Sequence, residues 1–308
     1  MAGGDIINPA EDLASIGPTK FYLGTHRPNW LWREDIDFPL CVSYRTIAEI
    51  VTPRPATCGW MLDSGAYTQL RDHGRWTLEP IRYVQEVDRL DREVGRLEWA
   101  ASQDYMCEPW VIHGGWHDDH YYAGTRQFID PDHTMTDDEL VAEHQRRTVD
   151  NFLECCRWWP EFSDEANPIM PSVQGWTIPQ YLRCEQMYKD AGVDLSEYPV
   201  VGLGSVCRRQ GTAEITALAE ILTPRIALHG FGVKTRGLLA TNRFTSADSL
   251  AWSYEAAKTD PLPGHQHKHC NNCPVYARRW RDRLMAALGE VDCGTWQECL
   301  PIPWDLAA

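Results

Sequence analysis

No apolar run in this chain approaches ~18 residues, so nothing in it is long enough to cross a membrane as a helix. The start, Met1 to Asp5, carries neither a basic segment nor an apolar stretch after one. No signal peptide is therefore expected, and the expected location is the cytoplasm. Positive charge is scarce: 29 Lys+Arg stand against 44 Asp+Glu, a net charge of −15. That balance argues against a nonspecific nucleic-acid binder, which holds polyanions by excess basic charge. Low-complexity tracts and short repeats are absent. So is any G-x-x-x-x-G-K-[ST] loop, and no nucleotide or redox cofactor is implied. Pairing cysteines are not evident either. The count is 11, an odd number, which speaks for reduced thiols, some of them on metal, rather than a disulfide framework.

What is present is enough for a sizeable core: 308 residues, 43% hydrophobic and 11% aromatic. Acidic residues dominate positions 1–200, whereas 201–308 is close to neutral, so a polyanion site is expected in the last third. Short apolar runs alternate with helical patterns. Eight candidate strands are Phe21–Gly24, Pro39–Tyr44, Gly59–Asp63, Leu97–Asp104, Ile169–Gly175, Val200–Gly204, Ile226–Gly232 and Phe244–Asp248. Ile81, Val84, Val87, Leu90, Val94 and Leu97 recur at helical steps and predict one apolar stripe. Thr136-Asp137-Asp138-Glu139 has capping-box spacing and precedes a helix over Leu140–Trp159. A helix over Ile178–Ala191 stops at Gly192, and another spans Thr212–Leu222. The alternation predicts a (β/α)₈ TIM barrel, with a doubly wound open sheet as runner-up.

Two segments break the rhythm. Cys107–Asp132, rich in Trp, Tyr, His and Asp, reads as an ordered, functional insertion after the fourth strand. Asp260–Ala308 reads as a C-terminal zinc-binding subdomain, giving a barrel over 1–259 and an appendage over 260–308. The appendage holds His265-Gln266-His267-Lys268-His269-Cys270-Asn271-Asn272-Cys273. Cys-x₂-Cys behind histidines in a reduced chain is a strong metal signal. Cys270 and Cys273 are the firm ligands. His265, His267 or His269 stands with them, the last ligand is open between Cys293 and Cys299, and a closed four-ligand site would hold a structural Zn²⁺.

The strand ends carry Asp63-Ser64-Gly65-Ala66-Tyr67, Gln103-Asp104, Gln174-Gly175, Gly202-Leu203-Gly204-Ser205, His229-Gly230-Phe231-Gly232 and Asp248-Ser249. Strands commonly end in such turn residues, but a barrel gathers one end of all its strands into one site. The ordered set resembles the tRNA-guanine transglycosylase superfamily. Tyr22-Leu23-Gly24-Thr25-His26, Gly202 to Arg209 and Ser246-Ala247-Asp248-Ser249-Leu250-Ala251-Trp252 bring it closest to the DNA-modifying branch, the DpdA-type deazapurine transglycosylases of phages and bacteria. The arginine-rich loop that the tRNA enzymes carry after the nucleophile is missing, since Cys270 follows Asp248 by 22 residues.

The resemblance implies an enzyme that exchanges guanine in DNA for a free 7-deazaguanine base of the preQ0 kind. Asp248 would be the nucleophile and Asp63 the general acid/base, the two-carboxylate logic of retaining glycosidases. Ser64, Gly65, Asp104, Gln174, Gly202, Gly204, His229 and Gly230 would bind the base. Arg208, Arg209, Lys234, Arg236 and Arg243 would meet phosphates, with the Arg278–Arg283 run a further candidate. Trp110, Trp116, Tyr121 and Tyr122 are placed to stack on a base if they do not simply pack their own loop. The alternatives are a tRNA-guanine transglycosylase or a non-catalytic nucleic-acid-binding barrel. The resemblance also implies His267, Cys270, Cys273 and Cys299 as the zinc ligands, Cys299 by its spacing after Cys273. A homodimer stays open.

Overall fold

The computed structural model describes residues 19–207, 212–241 and 243–291. Arg208, Arg209, Cys293 and Cys299 lie outside the described residues.

The strands are β1 (Lys20–Thr25), β2 (Leu40–Ser43), β3 (Trp60–Asp63), β4 (Leu97–Ala101), β5 (Gly115–His117), β6 (His120–Tyr122), β7 (Ile169–Met170), β8 (Ser172–Val173), β9 (Val201–Leu203), β10 (Leu228–Gly230) and β11 (Ser246–Ser249). Nine of them form one parallel sheet in the order β7-β4-β3-β2-β1-β11-β10-β9-β8. Its two end strands are consecutive in the chain, separated only by Pro171. The sheet therefore runs round on itself as a TIM-like barrel of eight staves, the fifth of them split. Pro171 explains the split, because it has no N–H for a ladder. Before it, Ala100 and Ser102 donate to the carbonyls of Pro168 and Met170; after it, Gly202 and Gly204 donate to those of Pro171 and Val173. One segment thus serves both neighbours and closes the ring.

Buried parallel strands read as apolar runs because both faces are covered, and here five of the six residues of β1 are buried. The outer faces meet the helices in the main core, while Tyr22, Cys41, Met61, Trp99, Ala101, Met170 and Val200 fill the barrel interior. The Pro80–Val94 helix buries Tyr83, Val84, Val87, Leu90 and Val94. Its stripe starts one turn edge later than the sequence spacing predicts, at Tyr83 rather than Ile81. Leu97 belongs to β4, since the helix stops at Gly95. The capping box forms: Glu139 N–H donates to Thr136 Oγ1 at 3.3 Å, and Thr136 N–H donates to Glu139 Oε2 at 2.7 Å, opening the Asp137–Trp158 helix.

The insertion after β4 is ordered. It holds the Pro109–His113 turn of helix, the antiparallel hairpin β5–β6 and the Arg126–Ile129 turn. Tyr122 is buried and its hydroxyl lies 3.3 Å from that of Tyr67, four residues past Asp63. Trp110 stacks on His117 at 3.8 Å, whereas the cross-strand pair Trp116 and Tyr121 is 78% and 59% exposed. The segment from Asp260 to Val291 shares apolar contacts with the barrel. Cys270, Cys273, Tyr276, Ala277, Trp280 and Leu284 belong to the same core as Phe21, and Trp280 lies 6.0 Å from the Phe21 ring. Among the described residues no helix is long and apolar enough to cross a membrane.

Candidate active site and metal centre

In a parallel barrel every strand delivers its C-terminal residue to one end. Asp63 closes β3, Asp104 stands just past β4, Gln174 just past β8 and Asp248 within β11. Asp63 pairs in register with Ser43 on β2, and Asp248 with Tyr22 on β1. Asp63 is half-buried. Burial pushes its carboxyl up to about 6, and the charge of Asp248 adds to this; the Ser43 hydroxyl and the Gly65 N–H act in the opposite sense. Gly65 has φ +82, the left-handed region open to glycine, as the chain turns into the Ala66–His73 helix. The Cys41 thiol is buried in the barrel interior, and burial first, then the charges of Asp248 and Asp63, push it well up.

Asp104 is buried, and burial together with the charges of Asp63 and Glu108 raises it to about 7. Gln174 Nε2 donates to Asp104 Oδ2, and Ser64 Oγ lies 3.5 Å from Oδ1. Gln174 is held in turn by Ser205, whose Oγ is 2.7 Å from Gln174 Oε1 and 2.9 Å from Glu108 Oε2. The Cys107 N–H donates to the same Ser205 oxygen at 2.7 Å. One hydroxyl proton serves two acceptors, so Ser205 donates to one of them at a time. Gly204 is glycine because Gln174 occupies the space: an added Cβ would sit 1.9 Å from Gln174 Nε2. This string of buried polar groups presents carboxylate and amide atoms to one place, which suits a ligand with a fixed edge of donors and acceptors.

The raised carboxyls have a cost in stability. A carboxyl whose folded value lies above its unfolded value favours the fold most below about pH 4, and that contribution is lost as pH rises to the folded value. For Asp104 the window is therefore about pH 4 to 7, and each pH unit of elevation is worth about 1.4 kcal/mol. Asp104→Asn is expected to melt at higher temperature than the parent at pH 8, with the gap shrinking toward pH 4. Thermal melts across that range check it; a variant less stable at every pH contradicts it.

The other expected ligands of the base are distributed as follows. Ser64, Gly65, Gly202 and Gly230 are buried. Gly202 leaves its Cβ space to Phe231 and Ser172, and Gly230 to Val233, so both are packed into the barrel wall. His229 is fully buried beneath Asp248, with Nε2 3.2 Å from Asp248 Oδ1. Of the basic residues, Lys234 and Arg236 are exposed after β10, at the aspartate end. Arg243 precedes β11, whose start pairs with Lys20, and so stands at the opposite end. Cys41, Ser43, Glu108, Ser205 and Ser246 join the site without being singled out in the sequence. Only Ser205 and Ser246 had a signal, as neighbours of the Gly202–Gly204 and Asp248 segments.

Far along the chain, His265 Nδ1 or Nε2, a ring nitrogen of His267, and the thiols of Cys270 and Cys273 offer ligand atoms all within 4.8 Å of one another. His267 Nε2 is 3.0 Å from Cys270 Sγ, and His265 Nδ1 is 3.5 Å from Cys273 Sγ. The Leu262 N–H donates to Cys270 Sγ at 3.3 Å, the support a thiolate ligand takes from its second layer. Two nitrogens and two sulfurs are a donor set that fits zinc, and the cluster could hold such an ion. His265 thus stands with His267, and His269 is outside the group.

Residues 18–300 match the family model described as DeoxyPurine in DNA protein A, DpdA. The chain belongs to the DpdA family. DpdA proteins form a DNA-modifying transglycosylase family, and membership points to a role in 7-deazapurine modification of DNA. No curated protein matches the chain. Among solved structures, a candidate fructose-1,6-biphosphate aldolase from Coccidioides immitis is 7% identical over 92% of this chain and 91% of that one, with a TM-score of 0.40. The carboxyl transferase domain of Rhizobium etli pyruvate carboxylase, solved with pyruvate, is 11% identical over 94% of this chain and 53% of that one, at 0.41. Neither adds to what the strand order already gives.

Proposed function

We propose that this DpdA-family chain is a DNA-guanine transglycosylase that replaces guanine in DNA with a free 7-deazaguanine base through a covalent aspartyl-sugar intermediate. The observation that carries the reading is that Asp63 and Asp248, on β3 and β11, stand at the same end of the barrel as the Asp104–Gln174 hydrogen bond. The target guanine leaves the helical stack to reach them. Its N1–H and N2–H₂ edge meets Asp104, which Gln174 and Ser64 hold in place. A carboxylate oxygen of Asp248 forms a bond to C1′ as the C1′–N9 bond breaks, the electron pair goes to the purine, and Asp63 gives it a proton. The incoming base then yields its N9 proton to the Asp63 carboxylate, N9 bonds to C1′, and Asp248 leaves with its electron pair. Two inversions give net retention.

The exposed pair Trp116–Tyr121 and the cations Lys234 and Arg236 are our candidates for DNA contacts. Purified protein offered equal DNA and tRNA with a labelled 7-deazaguanine at low salt is expected to label DNA. Label entering tRNA alone overturns the substrate assignment and leaves the two-aspartate chemistry standing.

We also propose that His265, His267, Cys270 and Cys273 hold one structural zinc ion. Four protein donors leave no open position for substrate, and the cluster's cysteines are built into the core. Cys270→Ser is expected to lose zinc and to melt lower, whereas Cys299→Ser keeps the full equivalent. Metal analysis of freshly purified variants checks this; zinc lost from Cys299→Ser contradicts the four-ligand set.

A further inference from the structure

The two oxygens of the Asp248 carboxylate are not equivalent. Oδ1 accepts the Gly232 N–H at 2.9 Å and lies 3.2 Å from His229 Nε2. On the far side of the ring, His229 Nδ1 is 2.9 Å from Ser246 Oγ. Both Ser246 and Asp248 come from β11, two residues apart and on the same face of the strand, while His229 comes from its neighbour β10. The ring is caged: Trp99 lies 4.7 Å away, Phe231 4.8 Å and Tyr22 6.0 Å, all close to edge-on. It has no exposure and no room to turn without moving three aromatic side chains.

With the ring neutral and the Asp248 carboxylate ionised, the contacts leave one tautomer. A neutral imidazole carries one N–H, and an ionised carboxylate only accepts. Nε2 therefore holds the proton and donates to Asp248 Oδ1, and Nδ1 accepts from the Ser246 hydroxyl. Oδ1 is then the target of two N–H donors, one from backbone and one from the ring. Rotation about the last side-chain bond of Asp248 would forfeit both.

We propose that His229, oriented by Ser246, is a positioning residue that holds Asp248 Oδ1 so that Oδ2 is the oxygen presented to C1′. This rests on the reading of Asp248 as nucleophile and deepens it. When Oδ2 bonds to C1′, Oδ1 becomes the ester carbonyl; when the new base displaces Asp248, negative charge returns to that carboxylate. The same two N–H groups stabilise it without rearrangement, the arrangement expected of preorganised donors at a site of developing charge. His229 touches the nucleophile and, being buried beneath it, serves the reaction through Asp248.

His229→Phe with Ser246→Ala keeps a ring in the cage and removes both polar groups together, so no buried hydroxyl is left without a partner. Ser246→Ala alone leaves the imidazole in place and removes only the donor to Nδ1. Five quantities are measured on each: melting temperature, DNA affinity, KM for the incoming base, kcat, and the rate at which a DNA–protein adduct forms. The double variant is expected to lose about 100-fold in kcat and in adduct formation, the scale of a misplaced reacting group. Its DNA affinity and KM should be unchanged. Ser246→Ala should lose several-fold in the same two rates, and His229→Gln, which restores an N–H donor, should recover part of the double variant's loss. A double variant within threefold of the parent in kcat overturns the proposal. So does a loss of kcat that tracks loss of DNA binding or of melting temperature, which marks His229 as packing alone. If the parent itself neither exchanges base nor forms an adduct, the nucleophile reading fails, and this inference fails with it.

Discussion

Asp248→Asn is expected to abolish base exchange, a loss of about 10⁴-fold or more, as removal of a covalent nucleophile costs elsewhere, while the barrel stays folded. The amide is nearly the same size as the carboxylate, and its oxygen can still accept from Gly232 and His229. What it lacks is the anionic oxygen that bonds to C1′. The exchange also removes the charge that helps to raise Asp63 and Cys41, so folding should be eased rather than strained. DNA affinity and melting temperature are measured beside exchange. Full activity in the variant contradicts the assignment of the nucleophile.

The second large effect is at Asp63. Asp63→Asn is expected to lose about 10²–10⁴-fold in turnover, the usual worth of a general acid/base, with DNA binding retained. The pH dependence has a definite sign. Burial, with the neighbouring Asp248, lifts Asp63 to about 6, so the acid form that protonates departing guanine is plentiful below pH 6 and declines tenfold per pH unit above it. The rate of guanine release should therefore fall along a limb near pH 6. The Ser43 hydroxyl stabilises the ionised form, so Ser43→Ala should move that limb to higher pH. A limb that stays put in Ser43→Ala, or one that persists in Asp63→Asn, assigns the titration to another group.

Much of this was legible because a parallel barrel turns sequence position into place. Asp63, Asp104, Gln174, Gly204 and Asp248 each follow or end an apolar run, and the topology brings those ends together. The contacts among them were not legible. Ser205 reaches Gln174 across 31 residues and Glu108 across 97, and no local pattern encodes such pairs. Cys41 reads as an ordinary core residue, and only the folded barrel brings its thiol under the charges of Asp248 and Asp63. The hairpin β5–β6 was hidden because strands of three residues are too short to show an alternation. The fifth stave was expected as one strand; Pro171 breaks its ladder without ending the extended chain. Three histidines alternating over His265–His269 left the metal ligands open, and in the fold His265 and His267 stand with Cys270 and Cys273. Trp280 packs on Phe21 from near the other end of the chain, a pairing that no composition shift announces. His229 was expected at the base itself. Its burial follows from its register on β10 beside Ser246, which a single strand's sequence does not disclose.

The account turns on a covalent bond between one side chain and one sugar carbon. The protein is incubated with guanine-containing DNA, quenched in denaturant during turnover, digested with protease and nuclease, and its peptides are weighed. The account predicts a deoxyribose-bearing adduct on the peptide containing Asp248, lost when a 7-deazaguanine is added before the quench and absent from Asp248→Asn. Exchange that proceeds at the same rate with no adduct on that peptide, or with the adduct on Asp63, contradicts it.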